Sequence, residues 1–161
     1  MATPTNLPAA VSTGDVGTAA QFNNLRGAFR ILQVVQASTT TVVSSASATP
    51  VDTTLTCSIT PQSNTSKILF LVSQNIYSNA AGTGGIIKVL RDSTVLSTTI
   101  DICFGAASGS VQQYALNYMD SPATTSSLTY KTTISRNSGV GTIYTQVNAN
   151  PATIVLLEVS A

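Results

Sequence analysis

Histidine and tryptophan are absent from this 161-residue chain, and the first absence removes more chemistry than any other feature of the sequence. Without imidazole there is no Ser-His or Cys-His nucleophile pair, and the commonest general base and transition-metal ligand are gone. Charge is scarce too: 8% of residues are charged, against about 25% in an average protein. The exterior must be wetted by Ser, Thr, Asn and Gln. Seven Lys and Arg against six Asp and Glu leave a formal charge of +1, with no local basic cluster, which argues against nucleic acid as a partner. The acids are Asp15, Asp52, Asp92, Asp101, Asp120 and Glu158, mostly beside turn signals. A glycosidase needs two facing carboxylates, and Asp92 with Asp101, flanking one strand, is the pair to consider. No loop holds the several carboxylates that calcium requires. The expectation is a protein that is not an enzyme, with no catalytic residues, no cofactor and no metal.

The opening Met1-Ala2-Thr3-Pro4-Thr5-Asn6-Leu7-Pro8 has no cationic start and no long apolar segment, so an ordinary secretory signal is not expected and the chain reads as made in the cytoplasm. No run approaches eighteen apolar residues, and membrane insertion is not expected. Cys57 and Cys103 read as reduced, buried small hydrophobes. The sequon Asn64-Thr65-Ser66 reads as a turn. Without tryptophan, sugar stacking would fall to the tyrosines, Tyr77, Tyr114, Tyr118, Tyr130 and Tyr144, residues that more often serve cores and interfaces.

Against this polar background stand three apolar runs: Ile68-Leu69-Phe70-Leu71-Val72, Ile86-Ile87 with Val89-Leu90, and Ile154-Val155-Leu156-Leu157. Successive strand side chains point to opposite faces, so a continuous apolar run asks for cover on both sides. Only one short helix is legible, and the economical cover is another copy of the chain. Ile68, Phe70, Val72, Ile86, Ile154 and Leu156 are therefore the expected subunit-interface residues.

Three segments follow in order. Residues 1–17 mix prolines with spaced apolar positions Leu7, Val11 and Val16, which suits an extended arm that orders against a partner. Thr18-Ala19-Ala20-Gln21 then fits a capping box, and Phe22, Leu25 and Phe29 fall at i, i+3 and i+7 on one stripe, predicting a short amphipathic helix over 18–30. Gly27 weakens it by roughly 1 kcal/mol relative to Ala. Such a helix needs a surface: the open end of its own sandwich, a neighbouring subunit, or a larger particle. Leu7, Val11, Val16, Phe22, Leu25 and Phe29 are the expected attachment residues.

From residue 31 to 161 the period is that of strand. Candidate strands are 31–36, 40–45, 53–59, 67–77, 85–91, 94–102, 111–118, 127–135, 142–147 and 153–159, separated by turn signals such as Thr60-Pro61-Gln62-Ser63-Asn64, Arg91-Asp92-Ser93 and Asn148-Ala149-Asn150-Pro151. Leu55, Cys57 and Ile59 alternate cleanly with Thr54, Thr56 and Ser58. Strands at this spacing predict an all-β antiparallel sandwich, jelly-roll-like. The glycine-rich 80–85 stretch lacks the Lys-Ser/Thr ending of a phosphate loop and reads as a flexible hairpin tip.

Ser58-Ile59-Thr60-Pro61-Gln62-Ser63-Asn64-Thr65-Ser66-Lys67-Ile68-Leu69 resembles a segment that recurs in virion proteins of tailed phages. Leu90-Arg91-Asp92-Ser93-Thr94 with Leu96, the closing Leu157-Glu158-Val159, and Asn6-Leu7-Pro8 leading to Thr18 through Gly27 look similar too. The resemblance implies a jelly-roll β-sandwich that trimerises around an apolar axis and attaches through its arm and helix. It further implies a virion-surface location, as capsid decoration or short head fibre, with a tail fibre or fibre adaptor as the alternative. The implied partners are sister copies, other virion proteins and a host surface glycan.

Overall fold

The computed structural model describes residues 31–160. The expected arm, 1–17, and helix, 18–30, lie outside the described residues. Ten strands run in order: β1 (Ile31–Thr39), β2 (Val43–Ser45), β3 (Val51–Ile59), β4 (Lys67–Ser78), β5 (Gly85–Arg91), β6 (Thr94–Ile102), β7 (Ser110–Asp120), β8 (Leu128–Arg136), β9 (Ile143–Thr145) and β10 (Ala152–Val159). Every pairing among them is antiparallel.

Six strands make one sheet, β1-β10-β4-β9-β2 with β7 on the other edge of β4, and four make the second, β3-β8-β5-β6. Setting aside the short β2 and β9, the long strands taken in chain order alternate between sheets as 1-8-3-6 facing 2-7-4-5. That connectivity is a jelly roll. β4 is central because it is long and apolar on both parities. It pairs with β10 through residues 67–73, with β9 through 76–78, and with β7 along its whole length.

Alternation decides what each strand buries. Leu55, Cys57 and Ile59 of β3 point into the core while Thr54, Thr56 and Ser58 are exposed. Phe70 sits at the centre, its ring 5.5 Å from Tyr118 and 5.7 Å from Tyr130, so two aromatic contacts tie β4 to β7 and to the opposing sheet. Burying each such large side chain contributes roughly 1.5–3 kcal/mol. Cys57 and Cys103 are both free and buried. Burial raises both thiols, that of Cys103 to about 11.

Three local features depart from the sequence pattern. β3 carries a bulge: its register jumps from Asp52 opposite Thr133 to Thr56 opposite Lys131, and Thr54 takes a left-handed φ of 63°. β9 stops at Thr145 because Gln146 is left-handed, φ 55°, shortening the strand expected over 142–147. The 80–85 stretch is no hairpin tip, since β4 and β5 lie in different sheets and the segment crosses between them. There Thr83 is wholly buried, its Oγ1 accepts from the Gly141 amide at 3.0 Å, and the Gly82 amide donates to the Gly105 carbonyl at 2.8 Å. Gly139, at φ +74°, packs so closely that a Cβ would stand 2.6 Å from the Gly82 carbonyl oxygen.

Candidate interaction surfaces

Five of the six expected interface residues, Ile68, Phe70, Val72, Ile154 and Leu156, are enclosed within the protomer's own sandwich, each at most 3% exposed. They cannot form a subunit contact in this fold, and that expectation is corrected. The reason is parity: on β4 and β10 these positions face the four-stranded sheet of the same chain. Ile86 differs. It lies on the half-exposed parity of β5, opposite Ile100 of β6 and Ser135 of β8.

The other parity of the same runs makes the outer face of the six-stranded sheet. One row across four strands reads Val34, Leu157, Leu69, Met119, and the next reads Gln36, Val155, Leu71, Asn117. Neither row contains a charge. Leu69, Leu71, Val155 and Leu157 are half-buried, while Val34 and Met119 are 56% and 45% exposed. These residues were missed as surface candidates although the signal was present, because the runs announce two apolar faces without saying which one the protomer covers.

The outer face of the four-stranded sheet is mostly hydroxyl-bearing, and its β5–β6 side carries two apolar pairs separated by Lys88 opposite Thr98. Ile86 stands opposite Ile100 and Leu90 opposite Val95, with Ile100 and Val95 prominently exposed on the edge strand. Beyond β3, Asp52, Thr54, Thr56, Thr129 and Lys131 rim a concavity of about 280 Å³ beside the bulge. Lys131 Nζ donates to Asp52 Oδ2 there at 2.8 Å.

Ladder register also sets the two ends of the molecule. Ile31 pairs with Val159, which pairs with Lys67 at the start of β4. At the far end of β4, Ser78 pairs with Ser110, and the loops 79–84, 103–109 and 137–142 are laced together there by Gly82 to Gly105, Gly109 to Ser78 and Asn137 to Gly84 backbone hydrogen bonds. Twelve strand residues separate the ends, about 40 Å. Phe104 and Val140 project from the far loops, Val140 at 90% exposure.

Each carboxylate among the described residues accepts hydrogen bonds from neighbouring groups. Asp92 and Asp101 stand at opposite ends of β6, about 30 Å apart along the strand, far beyond the 5–9.5 Å or so that glycoside hydrolysis uses. Asp92 Oδ1 accepts from the Thr129 amide at 2.9 Å, and Asp101 Oδ1 from Asn137 Nδ2 at 2.6 Å. Asp120 accepts both from Arg91 Nη1, at 2.9 and 2.7 Å, and from the Tyr130 hydroxyl at 2.7 Å. Burial, and the hydrogen bond to that carboxylate, push the Tyr130 phenol far above its ordinary value. Glu158 is fully buried; burial pushes its carboxyl up, but hydrogen bonds led by Gln33 Nε2 at 2.6 Å and the Gln62 amide at 2.7 Å outweigh it and hold the group below its usual range. Among the described residues no group of three or more Cys, Asp or Glu could hold a metal ion, and no helix is long and apolar enough to cross a membrane.

No protein-family description matches the sequence, and no curated protein does. Among solved structures the chain is similar to the infectious bursal disease virus VP2 subviral particle, at 12% identity and a TM-score of 0.45, covering 79% of this chain and 39% of that one. It is similar to infectious bursal disease virus Gx strain at 14% identity, TM-score 0.44, covering 80% and 37%. Dimeric latent PorU from Porphyromonas gingivalis matches at 8% identity, TM-score 0.40, covering 81% of this chain and 13% of that one. The chain thus spans less than half the length of each. At such scores, function must be sought in the protomer's own surfaces.

Proposed function

We propose that this chain is a non-enzymatic structural protein of a virion, a homotrimeric surface decoration of the capsid or a short head fibre, anchored through its N-terminal arm. The observation that carries this reading is the polarity of the sandwich: the chain enters at Ile31 on one end, while the laced loops bearing Phe104 and Val140 lie at the other. Such a module can be held at its base and present its tip. Leu7, Val11 and Val16 supply apolar anchor points in the arm, with the Phe22, Leu25 and Phe29 stripe joining them to the sandwich. Three arms in one trimer make the second and third contacts intramolecular, so individually weak anchors suffice. The apolar pairs Ile86 with Ile100 and Leu90 with Val95, on either side of Lys88 and Thr98 on β5 and β6, offer sister copies a contact. A surface with so little charge is insensitive to salt screening, which suits a particle exterior. Synthesis in the host cytoplasm and display on the virion surface complete the reading.

The exposed Phe104 and Val140 favour a second reading, a tail fibre or fibre adaptor whose tip reads a receptor or host glycan. Deleting residues 1–17 should leave a folded trimer, by light scattering at micromolar concentration, that no longer joins the particle. A purely monomeric full-length chain, or full incorporation of the truncated one, would overturn the proposal. Glycan binding that is lost in Phe104→Ser with incorporation intact would establish the second reading beside the first.

A further inference from the structure

We infer, on the homotrimer reading, that sister copies of this chain bind one another through the outer face of the six-stranded sheet and the free edge of β7 beside it. The face is long and neutral. Five successive rows point outward between Leu69 and Tyr77 of β4, and none contains a charged residue. Apolar side chains gather at its two ends: Leu69, Leu71, Val155 and Leu157 at one, and Tyr77 with Tyr144, their rings 5.7 Å apart, at the other. Between them the row of Ser38, Thr153, Ser73 and Ala115 is small and uncharged. Lys67, the one charge of β4, stands outside these rows at the start of the strand.

Area favours a whole subunit as the occupant. The steps from Leu69 to Tyr77 cover about 27 Å and four strands about 14 Å, which with half a spacing on each side gives a footprint of about 600 Å². A stable interface buries roughly 600–1,000 Å² on each partner. The face alone therefore reaches the lower end of that range, and the β7 edge extends it. Composition agrees, because interface cores are depleted of Lys, Asp and Glu and enriched in Tyr and Met, and this face carries Tyr77, Tyr144 and Met119.

The edge supplies the other half of the contact. Among the described residues β7 pairs with β4 alone, which leaves one side of an eleven-residue strand without a partner strand. Exposed edges are normally blunted by Lys, Pro or a bulge. β7 has none of the three, and Asp120, its one charge, is turned onto Arg91. Val111, Tyr118 and Met119 remain exposed along it. A closed ring of three copies is heterologous, so each protomer must offer two different patches. The face and the adjoining edge are two such patches, the β7 edge of one copy lying across the β1-β10-β4 face of the next.

Leu71→Lys on the face and, separately, Val111→Lys on the edge test both patches in the full chain. Light scattering at micromolar concentration should give the mass of a trimer for the parent and of a monomer for either variant, with circular dichroism unchanged. Thr56→Lys, on the exposed side of β3, should leave the trimer intact. A second measurement needs no disruptive change. Cys57 and Cys103 are buried, so the new thiol of Ser73→Cys should react with a maleimide roughly tenfold more slowly than that of Thr56→Cys while the face is covered. Adding Val111→Lys should remove the difference. A trimer that survives either lysine, or a Ser73→Cys thiol as reactive as the one on β3, would overturn the inference and leave the trimer reading standing; loss of that trimer in Ile100→Lys would then assign the contact to β5 and β6. A monomeric parent would overturn both, and a shielded Ser73→Cys thiol in such a monomer would assign the face to another part of the same chain.

Discussion

Gln74 of β4 and Thr132 of β8 are joined across the two sheets, the threonine hydroxyl donating to Gln74 Oε1 at 2.9 Å in the fully buried interior. The bond belongs to a chain of polar groups. With the Gln146 amide oriented so that its oxygen faces Gln74, Gln74 Nε2 donates to that oxygen at 2.7 Å and the Gln146 amide nitrogen donates to the Thr41 carbonyl at 3.1 Å. On the other side Thr132 and Thr53 share a short hydroxyl contact, and Thr53 donates to the Thr132 carbonyl at 3.2 Å. A satisfied buried network specifies how the sheets register on one another, where apolar packing alone would tolerate sliding.

Thr132→Val should therefore cost about 2 kcal/mol, because it leaves Gln74 Oε1 buried without its donor. Thr132→Val combined with Gln74→Leu should cost less than the sum of the single changes, by about 1 kcal/mol in a double-mutant cycle. Urea unfolding midpoints measure both quantities. Strict additivity would mean that the two side chains do not act together.

Glu158 should govern the acid limb of stability. Its carboxyl is held below the ordinary 4.5 by donors that outweigh burial, so the folded state binds a proton less readily than the unfolded chain does. The stabilisation is fully present above pH 4.5 and is lost as pH falls through the folded value below it. Glu158→Gln lacks this contribution. The gap between the parent and this variant in urea midpoint should be widest near neutrality and should narrow below pH 4.5; a constant gap would refute the assignment.

Arg91, Asp120 and Tyr130 close the same end of the sandwich, with the Asp120 side chain 8% exposed and that of Arg91 21%. Removing one member of a buried pair leaves the other without a counter-charge. Arg91→Ala should cost about 3 kcal/mol, whereas Lys131→Ala, on the exposed pair with Asp52 at 30% and 61%, should cost less than 1 kcal/mol. Thermal unfolding of the two variants side by side tests the contrast.

Most strands were legible because their signals are local. Leu55, Cys57 and Ile59 against Thr54, Thr56 and Ser58 declare a half-exposed strand within a few residues, and Arg91-Asp92-Ser93 marks the turn between β5 and β6 by composition. Strand ends were less legible. β1 extends to Thr39 and β9 stops at Thr145, because a left-handed Gln146 and the partner strands set those limits. Neither Glu158 nor Asp120 betrayed its burial, since each one's donors come from residues distant along the chain, Gln33 and Gln62 for Glu158, Arg91 for Asp120.

Sequence alone determined that this is an antiparallel β protein with little charge and with ribbons that are oily on both sides, for those properties reside in residue order and period. Only the tertiary structure decided which side of each ribbon the protomer itself encloses. Ile68, Phe70, Val72, Ile154 and Leu156 meet the opposing sheet, and Leu69, Leu71, Val155 and Leu157 face outward. A strand's two faces are equivalent in its own sequence when both are apolar, and what distinguishes them is the pairing and stacking of strands far apart along the chain.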